Sequence, residues 1–362
     1  MKAPRLQALP ADVGSAADYE AHARRALDDN AWTWLAATAG AGSTARDNGA
    51  AWDAIRHLPR VLRKPGHVAL HATLLGRPLP WPVLAAPMAL QRLAHDDGEI
   101  ATALAASAQG AGMVLSSQAS MRLETVAEAV RADTARGPLW FQLYLLRERA
   151  ATLSLVRRAE AAGYEAIVLT VDAAVRASRS PFRLPPGVSQ ANLAPSSPEP
   201  ASLVDLLSMA PGWDDVAWLR AQTRLPVLLK GVLHPEDARE AVRHGVAGLI
   251  VSNHGGRTLD GAVATATALP GIVDAVAGAL PVLVDGGIRS GNDVFKALAL
   301  GARAVLLGRP VLWGLATAGA AGTAHVLRLL RDELELAMAQ CGAASLADVT
   351  PDLVAHPFQR QM

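Results

Sequence analysis

Pro226 to Arg257 reads PVLLKGVLHPEDAREAVRHGVAGLIVSNHGGR. A short apolar run, Pro226–Leu229, ends in Lys230. A helical stretch follows from Pro235 to His244. A second apolar run, Gly248–Val251, ends in Ser252-Asn253-His254-Gly255-Gly256-Arg257. Neither run alternates apolar with polar residues, as expected of strands covered on both faces of a parallel sheet. The unit is strand, helix, strand, and each strand hands polar residues to its C-terminal end.

The same rhythm extends in both directions. Pro82–Ala86, Gly112–Leu115, Leu139–Leu143 and Ala166–Val171 precede the unit, and Pro281–Val284 and Ala304–Leu307 follow it. Helical stretches such as Glu99–Ala108, Arg149–Ala162 and Asp293–Leu300 lie between them. Eight apolar runs alternating with helices predict an α/β fold, a closed TIM (β/α)8 barrel. A doubly wound open sheet would show a Gly-rich turn after its first strand, and none follows Ala86. Residues 1–75 read as an N-terminal helical segment packing on the barrel, and 76–362 as the barrel. Within that segment, Tyr19, Ala23, Ala26, Leu27 and Trp34 predict one helix from about Ala16 to Leu35, and Gly40–Asn48 reads as a loop. From Ser180 to Trp213 the chain is rich in Pro, Ser and Ala without periodicity. This stretch reads as a mobile loop at about 180–213, after the fourth strand and so on the catalytic face, either a lid or plain disorder.

Composition narrows the class. The chain has 362 residues, 51% of them apolar, enough for a large core. Its 34 basic and 33 acidic residues leave a net charge of +1, which argues against a nucleic-acid partner. One cysteine, Cys341, permits no intrachain disulfide and no cysteine metal cluster, and it suits a reducing cytoplasm. The first residues lack a signal peptide's apolar core, and no stretch reaches ~18 uncharged apolar residues, so no membrane span is expected. No metal site is expected either.

Active sites of this fold gather at strand C-terminal ends, and nearly every run delivers a polar or ionisable group there. The series is Met88-Ala89, Ser116-Ser117, Gln142 and Tyr144, Thr170 and Asp172, Lys230, Ser252 with His254 and Arg257, Asp285, and Gly308-Arg309. His254 titrates near neutral pH, which suits a base that takes and returns a proton. Arg257, three residues on, suggests a carboxylate-bearing substrate, because the guanidinium fork pairs with it bidentately. Asp172 either orients an imidazole or caps the next helix. Lys230 emerges from a buried strand, which is costly unless an anion needs it. Asp285-Gly286-Gly287-Ile288-Arg289 and Gly308-Arg309 follow the seventh and eighth runs, where this fold usually binds phosphate. Tyr144 is either a donor to a substrate oxygen or a core aromatic.

With those residues in view, the chain resembles a known family. SNHGGRTLDG, LVDGGIRSGNDVFKALALGA, LLGRPV, LLKGV, LTVD, FQLY, LSS and APMALQRLAHDDGE resemble the FMN-dependent 2-hydroxy-acid oxidases and dehydrogenases: glycolate oxidase, lactate oxidase, mandelate dehydrogenase and hydroxymandelate oxidase-like proteins. The resemblance runs from about Tyr19 to the C-terminal helices. It implies oxidation of an L-2-hydroxy acid to the 2-keto acid, with His254 as base and Asp172 as its partner. Arg257 and Arg179 would grip the substrate carboxylate, and Tyr144 would bond the substrate oxygen. Met88, Ala89, Ser116, Gln142, Thr170, Lys230 and Ser252 would surround the flavin ring. Asp285 would hold the ribityl chain, and Gly287, Arg289, Gly308 and Arg309 the phosphate. Two electrons pass to the flavin, as hydride or through a carbanion. Oxygen, a quinone or a cytochrome would take them on, and Ala89 in place of Gly points towards oxygen. The resemblance also implies a homotetramer.

The chain departs from the family at three places. Trp34 stands where many members have a Tyr near the substrate carboxylate, and Gln118 where glycolate oxidases have Trp. Both are expected to line the substrate pocket. The loop after Arg179 is shortened before Phe182. Two rival readings accompany the main one: an FMN-dependent isomerase of a phosphorylated substrate, which would carry metal ligands, and a degenerate, non-catalytic flavin barrel.

Overall fold

The computed structural model describes residues 8–64, 66–173, 181–193, 204, 207 and 210–356. Eight parallel strands close into a barrel: β1 (Val83–Ala85), β2 (Gly112–Ser116), β3 (Leu139–Leu143), β4 (Ile167–Thr170), β5 (Val227–Val232), β6 (Gly248–Val251), β7 (Val282–Val284) and β8 (Ala304–Leu307). Helices follow the strands on the outside, among them α1 (Gly98–Ala108), α2 (Leu123–Val130), α3 (Arg149–Ala162), α4 (Trp213–Gln222), α5 (Pro235–Arg243), α6 (Thr265–Val276), α7 (Gly291–Ala299) and α8 (Arg309–Cys341), which is broken into two helices by a kink at Ala318 and Gly319.

Two apolar clusters explain why the strands read as unbroken apolar runs. One takes a residue from every strand: Leu84, Val114, Trp140, Val168, Leu228, Ile250, Leu283 and Leu306. This is the barrel interior. The intervening residues, such as Val83, Leu115, Phe141, Leu169 and Val284, join the second cluster beneath the helices. Each strand is thus buried on both faces. An antiparallel pair, Ala72–Leu74 with Arg77–Leu79, adds Leu74 and Leu79 to the interior cluster.

The N-terminal segment differs from its sequence reading in two respects. The helix expected from Ala16 to Leu35 is broken into Tyr19–Ala26 and Asp29–Leu35, because Asp28 adopts an extended conformation and caps the second piece, accepting from Ala31 N–H at 2.7 Å. Gly40–Asn48 is not all loop, since a helix runs Ser43–Ala54. Its cap comes from far along the chain. Asp260 accepts from Ser43 Oγ at 2.7 Å and Thr44 N–H at 3.1 Å. The first helix packs on α8, with buried Tyr19 bonded to His325 Nδ1 at 2.7 Å, and Trp32 stacks on Trp313.

β5 also runs further than its apolar stretch, to Val232, with an irregularity between Lys230 and Val232. Lys230 therefore lies inside the strand, not beyond its end. Of the loop expected at about 180–213, the part 174–180 and most of 194–209 lie outside the described residues. The part 181–193 is irregular and tied down, with Arg92 Nη1 donating to Gly187 O at 3.0 Å, Ala191 N–H to Ala119 O at 2.9 Å, and Leu123 N–H to Asn192 Oδ1 at 2.8 Å. Among the described residues no helix is long and apolar enough to cross a membrane.

Candidate active site

The strand C-termini open on a cavity-like pocket. Of the residues singled out in the sequence, Trp34, Met88, Ala89, Ser116, Gln118, Tyr144, Lys230, His254, Arg257, Asp285, Gly287, Arg289, Gly308 and Arg309 line it. Gln142, Thr170 and Ser252 are buried beside these residues and brace them. Gln142 Oε1 accepts from Ser116 Oγ at 3.1 Å while its Nε2 donates to Thr170 Oγ1 at 3.0 Å. Ser252 Oγ meets Lys230 Nζ at 2.8 Å. Arg179 lies outside the described residues.

His254 sits in the left-handed region, φ 57°, a conformation that costs a non-glycine residue ~1–2 kcal/mol. Its surroundings hold it there. Its N–H donates to Ser252 Oγ at 3.1 Å, and its Nδ1 lies 3.1 Å from Asp172 Oδ1. A left-handed backbone held at a polar residue over a cavity by several contacts points to a functional position. The next turn is fixed as well. Asn253 and Asn48 exchange side-chain hydrogen bonds, both 2.8 Å, tying the His254 loop to the Ser43–Ala54 helix.

Asp172 approaches because residue 231 is glycine. Gly231 has φ +114°, and a Cβ there would fall 2.5 Å from Asp172 Cβ. Burial pushes the Asp172 carboxyl up, but His254 and then Lys230 outweigh it and hold its pKa below the usual value. The carboxylate is therefore charged and faces the imidazole as an anion. Lys230 is the mirror case. Burial works against its ammonium, yet Asp285 and then Asp172 outweigh it and hold its pKa above the ordinary value. Lys230 Nζ is 3.0 Å from Asp285 Oδ2, whereas Asp285 Oδ1 is buried with no hydrogen-bond partner among the described residues.

The other side of the cavity carries cations. Arg289 donates to Ile288 O at 3.0 Å, and Arg309 to Gly255 O at 3.1 Å and Ala37 O at 3.0 Å. Among the described residues neither has a carboxylate within ion-pair distance. Burial, then the like charges of Arg289 and Arg257, pull the Arg309 guanidinium down to about 10. Burial likewise lowers Arg289. Arg257 donates to the carbonyls of Trp34, Leu35 and Ala37 at 2.9, 3.2 and 3.1 Å, and its guanidinium lies 5.7 Å from the Trp34 ring centre. A Cβ on Gly308 would meet nothing nearer than Met88 Sδ at 4.0 Å, so the bare backbone leaves space open at the start of α8. Like-charged guanidinium groups gathered under a helix N-terminus with open backbone have the chemistry to receive an anion.

Sequence reasoning passed over Gly231, Asn48, Asn253 as a brace, and Asp260. Gly231 carried a signal, since an isolated glycine in a strand marks a bulge or a close approach. The asparagines carried none, because their partners are more than two hundred residues apart.

A family model described as FMN-dependent dehydrogenase matches residues 23–356. The chain belongs to that family. Among its relatives, the L-lactate oxidase of Alicycliphilus denitrificans is 50% identical, the match covering 95% of this chain and 97% of the relative. The human 2-hydroxyacid oxidase 1 is 42% identical over 93% and 95% of the two chains. A solved mandelate oxidase with (S)-2-phenylpropionate superposes with a TM-score of 0.85 at 43% identity, covering 93% of this chain and 97% of that one. A mandelate oxidase variant with a C4a-OH-FMN adduct gives 0.83 at 43% identity, over 92% and 97%. Neither these relatives nor these structures are named as isomerases. The cofactor of the FMN-dependent dehydrogenases is FMN, and this cavity fits it. Arg289 and Arg309, with no carboxylate within ion-pair distance among the described residues, suit a phosphate dianion, and buried Lys230 with the Asp285 oxygen that has no partner among the described residues suits a polar ligand beside them.

Proposed function

We propose that this protein oxidises an L-2-hydroxy acid to the 2-keto acid, with His254 as the base. One observation carries the reading: an imidazole on a left-handed backbone, backed by a charged Asp172, shares a cavity with Tyr144, Arg257 and a cation cluster. Lactate and 2-hydroxyacid oxidase relatives support the substrate class.

Bound FMN supplies the acceptor for two electrons. Met88, Ala89, Ser116, Gln142, Thr170, Lys230 and Ser252 are assigned to its ring, Asp285 to its ribityl chain, and Gly287, Arg289, Gly308 and Arg309 to its phosphate. Arg257, with Arg179, holds the substrate carboxylate, which fixes the α-carbon and its hydroxyl. An Nδ1–H donated to Asp172 leaves His254 Nε2 as the basic nitrogen, and it removes a proton from the carbinol group. Asp172 stabilises the imidazolium that results. Tyr144 donates to the substrate oxygen. Lys230 provides fixed positive charge where electron density arrives.

The same reading takes oxygen, a quinone or a cytochrome as second substrate, with oxygen favoured by Ala89. It places the protein in the cytoplasm as a homotetramer, supported by the lone Cys341 and by family resemblance. Anaerobic mixing of the yellow protein with L-lactate, L-mandelate and L-2-hydroxyoctanoate tests the proposal. Bleaching by at least one, and by none of the D-isomers, is expected. FMN-loaded protein that no member of the panel bleaches refutes it.

A further inference from the structure

Asn30 and Trp34 stand four residues apart on the Asp29–Leu35 helix, so they share a face. Two neighbouring residues of the segment 181–193 meet that face. Asn30 Nδ2 donates to Arg183 O at 2.7 Å, and Arg183 N–H donates back to Asn30 Oδ1 at 2.9 Å. Beside this two-point clasp, the Phe182 ring lies on Trp34, centroids 4.7 Å apart and tilted by 34°. Trp34 in turn lines the cavity that holds His254, Tyr144 and Arg257, and Arg257 bonds its carbonyl at 2.9 Å. Further along the segment, anchoring passes to Arg92 and Asn192. At its start, the clasp and the ring contact hold it to the helix.

We propose that Asn30 is a positioning residue for substrate selection: its clasp on Arg183 seats Phe182 against Trp34 and so fixes the indole as a rigid cavity wall that selects 2-hydroxy acids by side-chain size. The proposal rests on the hydroxy-acid reading above and adds a determinant to it. The chemistry follows from rigidity. An indole held on one side by Phe182 and tied through its backbone to Arg257 cannot yield to a bulky substituent, and a small acid meets a formed wall. Without the clasp, Phe182 presses less firmly on the indole, the indole gains freedom, and bulky acids gain on small ones. Apolar walls discriminate side chains by roughly 10–200-fold, so a tenfold change is within reach.

The test uses the FMN-loaded full chain with Asn30→Ala and Asn30→Asp, the latter keeping an acceptor for the Arg183 amide. Hydrogen exchange at peptides covering Phe182 and Arg183 reads the clasp independently of turnover. The ratio of kcat/KM for L-2-hydroxyoctanoate to that for L-lactate reads the wall. For Asn30→Ala, exchange at those amides should rise at least tenfold. The ratio should rise about tenfold, mainly through the KM for lactate, with kcat within twofold and FMN content unchanged. Asn30→Asp should fall between the two. Faster exchange with an unchanged ratio overturns the proposal, since the clasp would then be structural only. Unchanged exchange overturns it too, because the clasp would not exist. A wild type that no 2-hydroxy acid reduces overturns the underlying reading, and this one with it.

Discussion

The two ends of the cavity handle charge in opposite ways. At the base end each charge meets its counter-charge within the chain, Asp172 against His254 and Lys230 against Asp285. At the far end Arg289 and Arg309 bond main-chain carbonyls, and burial, then like-charge repulsion, pulls Arg309 down to about 10. The first end pairs its charges before any ligand binds, as suits an acid–base apparatus. The second is complete only when an anion arrives. On the proposed function the His254–Asp172 pair serves proton transfer, Arg289 and Arg309 serve cofactor retention, and mutations should separate the two.

The largest effect is expected at the base. His254→Asn should slow flavin reduction by about a thousandfold or more while FMN stays bound. Stopped-flow absorbance checks this, and a near-normal rate removes His254 as the base. Gly231→Ala pushes a methyl into Asp172 and should displace the base's partner, slowing reduction by about a hundredfold with FMN content unchanged. A normal rate in a folded variant would show that the Asp172 position does not matter. Arg309→Met acts at the other end. It should weaken FMN binding by roughly ten- to a hundredfold, the loss of a charge-assisted contact, and leave reduction of the loaded enzyme within a few-fold. If FMN affinity holds while reduction collapses, the two ends are not separable.

The smallest effect concerns the support of the N-terminal segment. Asp260 caps the Ser43–Ala54 helix, and its hydrogen bond from Ser43 and those from the Thr44 and Ala41 amides lower its pKa to about 2. A carboxyl lowered on folding adds stability above its unfolded value of about 4, which disappears as pH falls through the folded value. Asp260→Asn should therefore be slightly less stable than wild type at pH 7, and the gap should close between about 4 and 2. Denaturant titrations across that range measure it. A gap that widens on acidification contradicts the assignment.

The barrel was legible because its strands are buried on both faces. LWFQL at Leu139–Leu143 is apolar nearly throughout, with Trp140 in the interior and Phe141 under the helices. The strand-end residues were legible because this fold delivers them to one rim. What stayed hidden depends on distant partners. The helix at Ser43 starts where Asp260, 217 residues later, supplies a cap. The break at Asp28 is a local cap that helical periodicity conceals. Asn30 has no motif at all, and its part emerges only when segment 181–193 is laid against it.

A crystal structure of the protein with FMN and pyruvate tests the two-ended cavity most directly. The flavin phosphate should lie within hydrogen-bond distance of Arg289 and Arg309, and the pyruvate carboxylate on Arg257 with its keto oxygen facing His254. A phosphate bound away from those arginines, or an imidazole turned from the ligand, contradicts it.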